Sequence, residues 1–277
     1  MKTLFRNLRR SPSYAIGFAM ISFLLGLMIV SFFWTPYPPN APSAIAKLQS
    51  PSILHWLGTD HLGRDVLSRL MLASRTAFLV GSASVAAGLL IGVPLGLTCG
   101  YYGGWFDIVV VRILDAMKAI PSLLLALMLI SVFGSGMAVT VFAISLLAIP
   151  LYARMARSSA MQLKNMDYMQ WTQLIGIGSA RILFLHLLPN LRSSVLVTAS
   201  LGFANAVLTE AGLSYLGLGV QPPDPSWGKM LSEAQNYLFN APWLAIGSGL
   251  SITLLVLGFN LLGDGLRDLG DRRRKDS

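Results

Sequence analysis

Charge is scarce in this chain. Aspartate, glutamate, lysine and arginine make up 12% of its 277 residues, about half of what a soluble domain carries. Hydrophobic residues reach 54%, a balance that excludes an ordinary water-soluble globule. Cys99 is the only cysteine, so no disulfide can form within the chain and a cysteine-based metal centre lacks its ligands. A phosphate-cradling loop needs Gly-x-x-x-x-Gly-Lys-Ser/Thr, but the single Gly-Lys pair, Gly228-Lys229, has Pro223 at the first glycine position and Met230 after the lysine. No Gly-x-Ser-x-Gly nucleophile turn occurs. The apolar runs lack the several interior acids or arginines of a proton relay or voltage sensor. Neither ATP hydrolysis nor use of an ion gradient is expected of this chain itself. His55 and His61 share a loop with no evident third ligand, so no metal site is expected either.

What the sequence does hold is a series of apolar runs near 20 residues, each long enough to cross a bilayer. Six account for it: Tyr14 to Trp34, Thr76 to Thr98, Leu114 to Phe133, Met137 to Tyr152, Ser193 to Leu213 and Trp243 to Leu262. The first follows Lys2, Arg6, Arg9 and Arg10 as a signal peptide would. Its 21 uncharged residues exceed an h-region, however, and Trp34-Thr35-Pro36 offers no small-residue cleavage site, so it reads as a retained anchor. With both termini inside, sixteen lysines and arginines face the cytoplasm and five face outward, which sets the orientation. The same asymmetry accounts for the net charge of +9 without nucleic acid. The chain divides into residues 1–75, comprising the tail, first span and outer segment, and residues 76–277, a five-helix core carrying a cytoplasmic segment over 153–190.

Four features carry chemistry. Gly88, Gly92, Gly96 and Gly100 repeat every four residues, stacking on one helix face where a second helix can approach closely; the face either packs statically or shifts during transport. In the cytoplasmic segment, Asp167 can cap a new helix while Gln170 reaches back to it. Gly176 and Gly178 end that helix, Ser179 can cap the next, and Pro189 closes it. Tyr168, Met169, Trp171, Leu174 and Ile175 give the first helix an apolar surface that either lies on lipid or enters a partner's groove; two such helices in succession make a compact knob and favour the partner. Glu210 is the one acid inside a span, where an ionised carboxylate costs roughly 2.5–3.5 kcal/mol on insertion scales. It is either a structural hydrogen-bonding group or, with Asn205 on the same span, part of a translocation path.

Several longer strings occur in a fixed order: Arg9-Arg10-Ser-Pro12, Thr35-Pro-Tyr-Pro-Pro-Asn40, Leu57-Gly-Thr-Asp-His-Leu-Gly-Arg-Asp-Val-Leu-Ser-Arg69, Glu210-Ala-Gly-Leu-Ser-Tyr-Leu-Gly-Leu-Gly-Val-Gln-Pro-Pro223, Ser226-Trp227-Gly228 and Asn260-Leu-Leu-Gly-Asp264-Gly-Leu-Arg267-Asp268. Through them the chain resembles, over nearly its full length, the C-type permease subunit of the dipeptide/oligopeptide/nickel branch of bacterial ABC importers. The resemblance implies an all-α, six-span permease of the type I importer fold in the bacterial inner membrane, with both termini cytoplasmic. Its implied partners, besides the bilayer, are a homologous permease subunit, two ATPase subunits that would bind ATP and magnesium, and an extracytoplasmic solute-binding protein. It also places the family's coupling helix at Asp167 to Asn190. The family's Glu-Ala-Ala, followed three residues later by glycine, is here Gln170-Trp171-Thr172 before Gly176. Arg181, His186 and Pro189-Asn190 match the end of the segment. Peptide and nickel systems share these strings; the brief outer loops lean toward nickel or a metal chelate. An ATP-independent channel or scaffold is the alternative from another class.

The orientation is directly testable. A cysteine replacing Trp171 should react with impermeant reagents only from the cytoplasmic side, and labelling from outside would invert the topology.

Overall fold

The computed structural model describes residues 11–174 and 177–275. Helix α1 (Pro12–Ser31) opens with Ser11 as its cap, whose hydroxyl accepts the Tyr14 amide, and with Pro12 in the first turn, where a missing N–H costs nothing. After an irregular outer segment, Asp65 caps α2 (Val66–Tyr102) by accepting the Ser68 amide at 2.8 Å. This helix has 37 residues, about 55 Å at 1.5 Å per residue, far more than a ~30 Å hydrocarbon core. It therefore stands proud of the bilayer, and it runs unbroken through Arg75 and Thr76, where the sequence suggests a boundary between the outer segment and the core.

The third run departs from expectation. In place of one span from Leu114 to Phe133 there are two helices, α3 (Gly104–Ala119) and α4 (Ser122–Phe133), meeting at 90°. Pro121 is the cause. It has no amide to donate and pushes the residue before it out of the helical region; Ile120 accordingly sits at φ −91°, ψ 131°. Helix α5 (Met137–Lys164) then returns to the cytoplasmic side as 28 residues rather than the 16 of the apolar run Met137 to Tyr152. The knob follows as α6 (Asp167–Leu174) and α7 (Ser179–Arg181), the latter continuing through a π-helical stretch, Ile182–Leu187, and a last turn, Leu188–Asn190. Helix α8 (Arg192–Tyr215), the short outer α9 (Trp227–Ala234) and the long α10 (Pro242–Lys275) complete the chain. Among the described residues, five helices are long and apolar enough to cross a membrane, and six spans result when the bent pair is taken as one.

Close approach of α2 and α5 organises the core. A Cβ added to Gly88 would meet Ala148 and Tyr152; at Gly92, the Ile149 carbonyl; at Gly96, the Ala153 carbonyl; at Gly100, Arg157 and Ala160. The glycine face lies directly against the α5 backbone. Lys164 donates to the Tyr101 carbonyl at 2.7 Å and ties the cytoplasmic ends together. The same device joins α1 to α10, where Gly17 abuts the Gly258 carbonyl and Gly265 abuts Tyr14. Around this frame, Phe203 stacks on Phe259 at 3.9 Å and touches Gly81. Nearer the cytoplasm, Leu97, Tyr152, Met169, Ile182 and Leu187 form a second cluster that joins the knob to the α2–α5 pair.

Adding volume at Gly96 should cost ~1–3 kcal/mol through overpacking, whereas Gly26, with nothing near its Cβ position, should accept alanine without loss. Unfolding in detergent of Gly96→Val beside Gly26→Ala measures the difference; equal stabilities would refute backbone contact as the function of the ladder.

Candidate functional site

The cytoplasmic knob is built from inside out. Met169 is fully buried against the second cluster, so part of the apolar surface expected on α6 turns inward as a root. Trp171, 64% exposed, points away from the chain. The Thr172 hydroxyl donates to the Met169 carbonyl at 2.7 Å. Asp167 is the first helical residue of α6, a position that favours a carboxylate near the positive helix end. The side chains of Tyr168, Gln170 and Leu174 lie outside the described residues, as do Ile175 and Gly176, together with Lys2, Arg6, Arg9 and Arg10.

Two details of the second half differ from expectation. Ser179 is itself helical, with Gly178 in the cap position and no side-chain cap. Pro189 does not close the segment: it sits in the first turn of Leu188–Asn190, where proline is tolerated, and the chain enters α8 almost at once. Ile182, Leu183 and Leu187 are buried, while Phe184, Leu185 and Arg181 are exposed. His186 is half-buried, and its carbonyl accepts from Asn190 at 2.7 Å. The six-residue π-helical stretch shifts the register between these faces, an irregularity that concentrates at functional positions. The knob therefore has an apolar root and an outward surface carrying Trp171, Phe184 and Leu185.

Glu210 and Asn205 occupy different faces of α8. Glu210 is 2% exposed, and its Oε1 accepts the Ser214 hydroxyl at 2.6 Å. The Ser214 oxygen in turn accepts the Val220 amide at 3.1 Å, and Ser226 lies beside the carboxylate. Of the two roles open from sequence, this geometry matches hydrogen bonding: the acid pins the outer loop to the helix end. Asn205 is exposed, on a face this chain leaves uncovered. The Glu210→Gln variant, which keeps an acceptor for Ser214, should retain at least half of wild-type uptake. Glu210→Ala should lose ~1–2 kcal/mol of stability in a detergent melt. Abolished uptake in Glu210→Gln with an unchanged melt would instead put the carboxylate in the transport step.

On the outer side, tertiary structure assembles a cluster that spacing did not reveal. Asp60, His61 and Glu233 bring ligand atoms within 4.8 Å of one another, Glu233 coming from α9, whereas His55 does not join them and pairs with Asp65 at 2.9 Å. The positive charge there is supplied by arginine. Arg64 Nε lies 2.6 Å from Asp60 and its Nη2 3.3 Å from Glu233, while Arg69 approaches the same carboxylates at 3.6 and 3.8 Å. Two guanidinium groups against two carboxylates make this a charge-balanced clasp between the first outer segment and α9. Trp227 Nε1 donates to the Leu70 carbonyl at 3.1 Å and the Thr76 hydroxyl to that of Pro225 at 3.0 Å, extending the clasp along α2. The strings singled out in the sequence, from Leu57 to Arg69 and from Glu210 to Gly228, thus converge in one outer structure.

Comparison with known proteins accords with this architecture. Residues 92–276 match the family described as binding-protein-dependent transport system inner membrane component. The dipeptide transport system permease protein DppC of Alkalihalophilus pseudofirmus is 38% identical over 273 residues, covering 98% of this chain and 89% of the relative. The glutathione transport system permease protein GsiD of Pectobacterium atrosepticum is 42% identical over 275 residues, covering 98% and 90%. Among solved structures, the inward-facing MetNI methionine ABC transporter superposes with a TM-score of 0.60 at 18% identity, covering 70% of this chain and 93% of that one, which shows a shared fold.

Proposed function

This chain belongs to the family of binding-protein-dependent transport system inner membrane components, and from that membership we propose that it is the half-channel through which an ATP-driven importer passes short peptides. As an inner-membrane permease it supplies the bilayer-embedded part. The observation that carries the mechanism is the knob: a rooted apolar projection on the cytoplasmic side, with Trp171, Phe184 and Leu185 exposed on it, at the point where the family resemblance puts the coupling helix. A solute gradient can be driven only by a free-energy source that distinguishes inward from outward states. No nucleotide loop exists in this sequence, so ATP and magnesium belong to two partner ATPases, each gripping a knob. Binding and hydrolysis there would be transmitted through Met169, Ile182 and Leu187 to the α2–α5 pair. A homologous permease subunit supplies the other half of the path, and an extracytoplasmic binding protein delivers the solute to the outer clasp.

For the solute, the relatives named above handle dipeptides and glutathione, a peptide as well. That supports short peptides over nickel or a metal chelate. The short outer loops that favour the metal reading are a weaker consideration, because loop length alone contributes no coordinating chemistry.

Two measurements test this reading. Leu174→Pro, which removes an amide from the last turn of α6 and pushes Gln173 out of the helical region, should insert normally but lose most of the co-purifying ATPase, at least about tenfold. Full co-purification would remove the docking role. Uptake of labelled dipeptide, set beside labelled nickel, in cells lacking only this subunit should fall for the peptide alone; a selective fall for nickel would replace the solute.

A further inference from the structure

The geometry points to Lys118 as a solute-facing cation in the translocation path, placed to meet the carboxylate of the passing peptide. The inference rests on the permease reading and adds a specificity group to it.

Depth is the first observation. Arg192, the first residue of α8, marks the inner end of that helix. Gly212 lies twenty residues further on, about 30 Å outward at 1.5 Å per residue. The Leu123 side chain packs against Gly212, with Cδ1 3.1 Å from where a Cβ would stand, so the start of α4 lies near the outer end of α8. Five residues separate Lys118 from Leu123, at most about 17 Å of chain even when fully extended. Lys118 therefore stands on the order of 10 Å or more outward of Arg192, one turn beyond the Asp115–Arg154 pair and within the span rather than at its inner end. The 90° break at Ile120-Pro121 produces this placement: α3 climbs through the inner half of the bilayer and α4 turns away across the helices beside it.

Exposure and charge are the second. Lys118 is exposed, and only Leu114 of α3 is buried. The two acids of α3 are engaged lower down, Asp107 with Arg157 at 2.5 Å and Asp115 with Arg154 at 2.6 Å, while the exposed Arg112 stands nearly two turns nearer the inner end than Lys118. Among the described residues no acid lies within 4.0 Å of Lys118. An ammonium at this depth cannot face acyl chains without a large penalty, so it faces water or a second protein. Asn205, about 20 Å from the inner end of α8 by the same rise, is exposed as well, on a face this chain leaves uncovered. Uncovered polar groups at such depths belong to a surface that meets water or a second subunit. A lone, unpaired cation on such a surface recognises an anion, and a free peptide presents one as its terminal carboxylate.

The test uses the assembled transporter in a Cys99→Ser background. With Lys118→Cys, an impermeant methanethiosulfonate should react at least about tenfold faster than with Phe23→Cys, whose side chain is on the exposed face of α1. Equal rates would overturn the path-lining placement. Lys118→Met should reduce uptake of labelled dipeptide about tenfold, mainly through KM, and Lys118→Arg should restore it. Wild-type uptake by Lys118→Met would overturn the carboxylate role. Loss of the co-purifying second permease in Lys118→Met would do the same, by assigning the charge to a subunit contact. If the wild type carries no dipeptide, the peptide reading and the carboxylate role fail together, while the thiol reaction still decides whether Lys118 lines the path.

Discussion

The contact on which the rest depends is backbone against backbone between α2 and α5. In a bilayer the hydrophobic effect does not separate helix from lipid, so association comes from dispersion, hydrogen bonds and the absence of intervening side chains. Four glycines at intervals of four residues remove those side chains over about four turns of helix, and Ala148, Ala153 and Ala160 keep the opposing surface low. Tyr152 fills the space between the pair and α8, with Gly202 against its hydroxyl. The position of α8, and with it Glu210 and Asn205, thus follows from the same contact.

The pair also gives the protein a mechanical axis. Its outer end rises beyond the bilayer and carries the clasp of Asp60, Arg64, Arg69 and Glu233. Its inner end is tied by Lys164 to Tyr101 and shares a buried cluster with the knob. A displacement applied at Trp171 meets close-packed side chains from Met169 onward, and such interiors transmit strain rather than absorb it. The bent pair α3–α4 is held by two ion pairs from α3 to α5 and by the packing of α4 against α5 and α8. Surface ion pairs of that kind contribute little individually, so most of the hold comes from α4.

Much of this was legible in the residues. Apolar length gave the spans, the cationic asymmetry gave their direction, and four-residue glycine spacing marked the closest helix contact. Each is a local property of sequence, and each local signal has one main physical reading in a bilayer. The knob was legible for the same reason, as polar residues and helix-ending glycines between apolar runs. What the residues left open or placed wrongly lay at points where a local signal had two outcomes. Pro121 could kink a span or break it, and the choice depended on where α4 found a packing surface against α5 and α8. Pro189 could end a helix or begin one. Glu210 could be a structural hydrogen-bonding group or part of a translocation path, and its bond to Ser214, which in turn holds Val220, matches the first.

By itself, then, the sequence determined the class of the molecule and its pattern of spans, because these depend on composition and on patterns no longer than a helix. Only the tertiary structure decided which polar groups are consumed in holding the fold and which are left over. Asp60 and Glu233 stand 173 positions apart in the chain, and only the packing of α9 against the outer segment brings them to one clasp. Such placements are set by long-range contacts, whose cost and benefit no local window of residues contains.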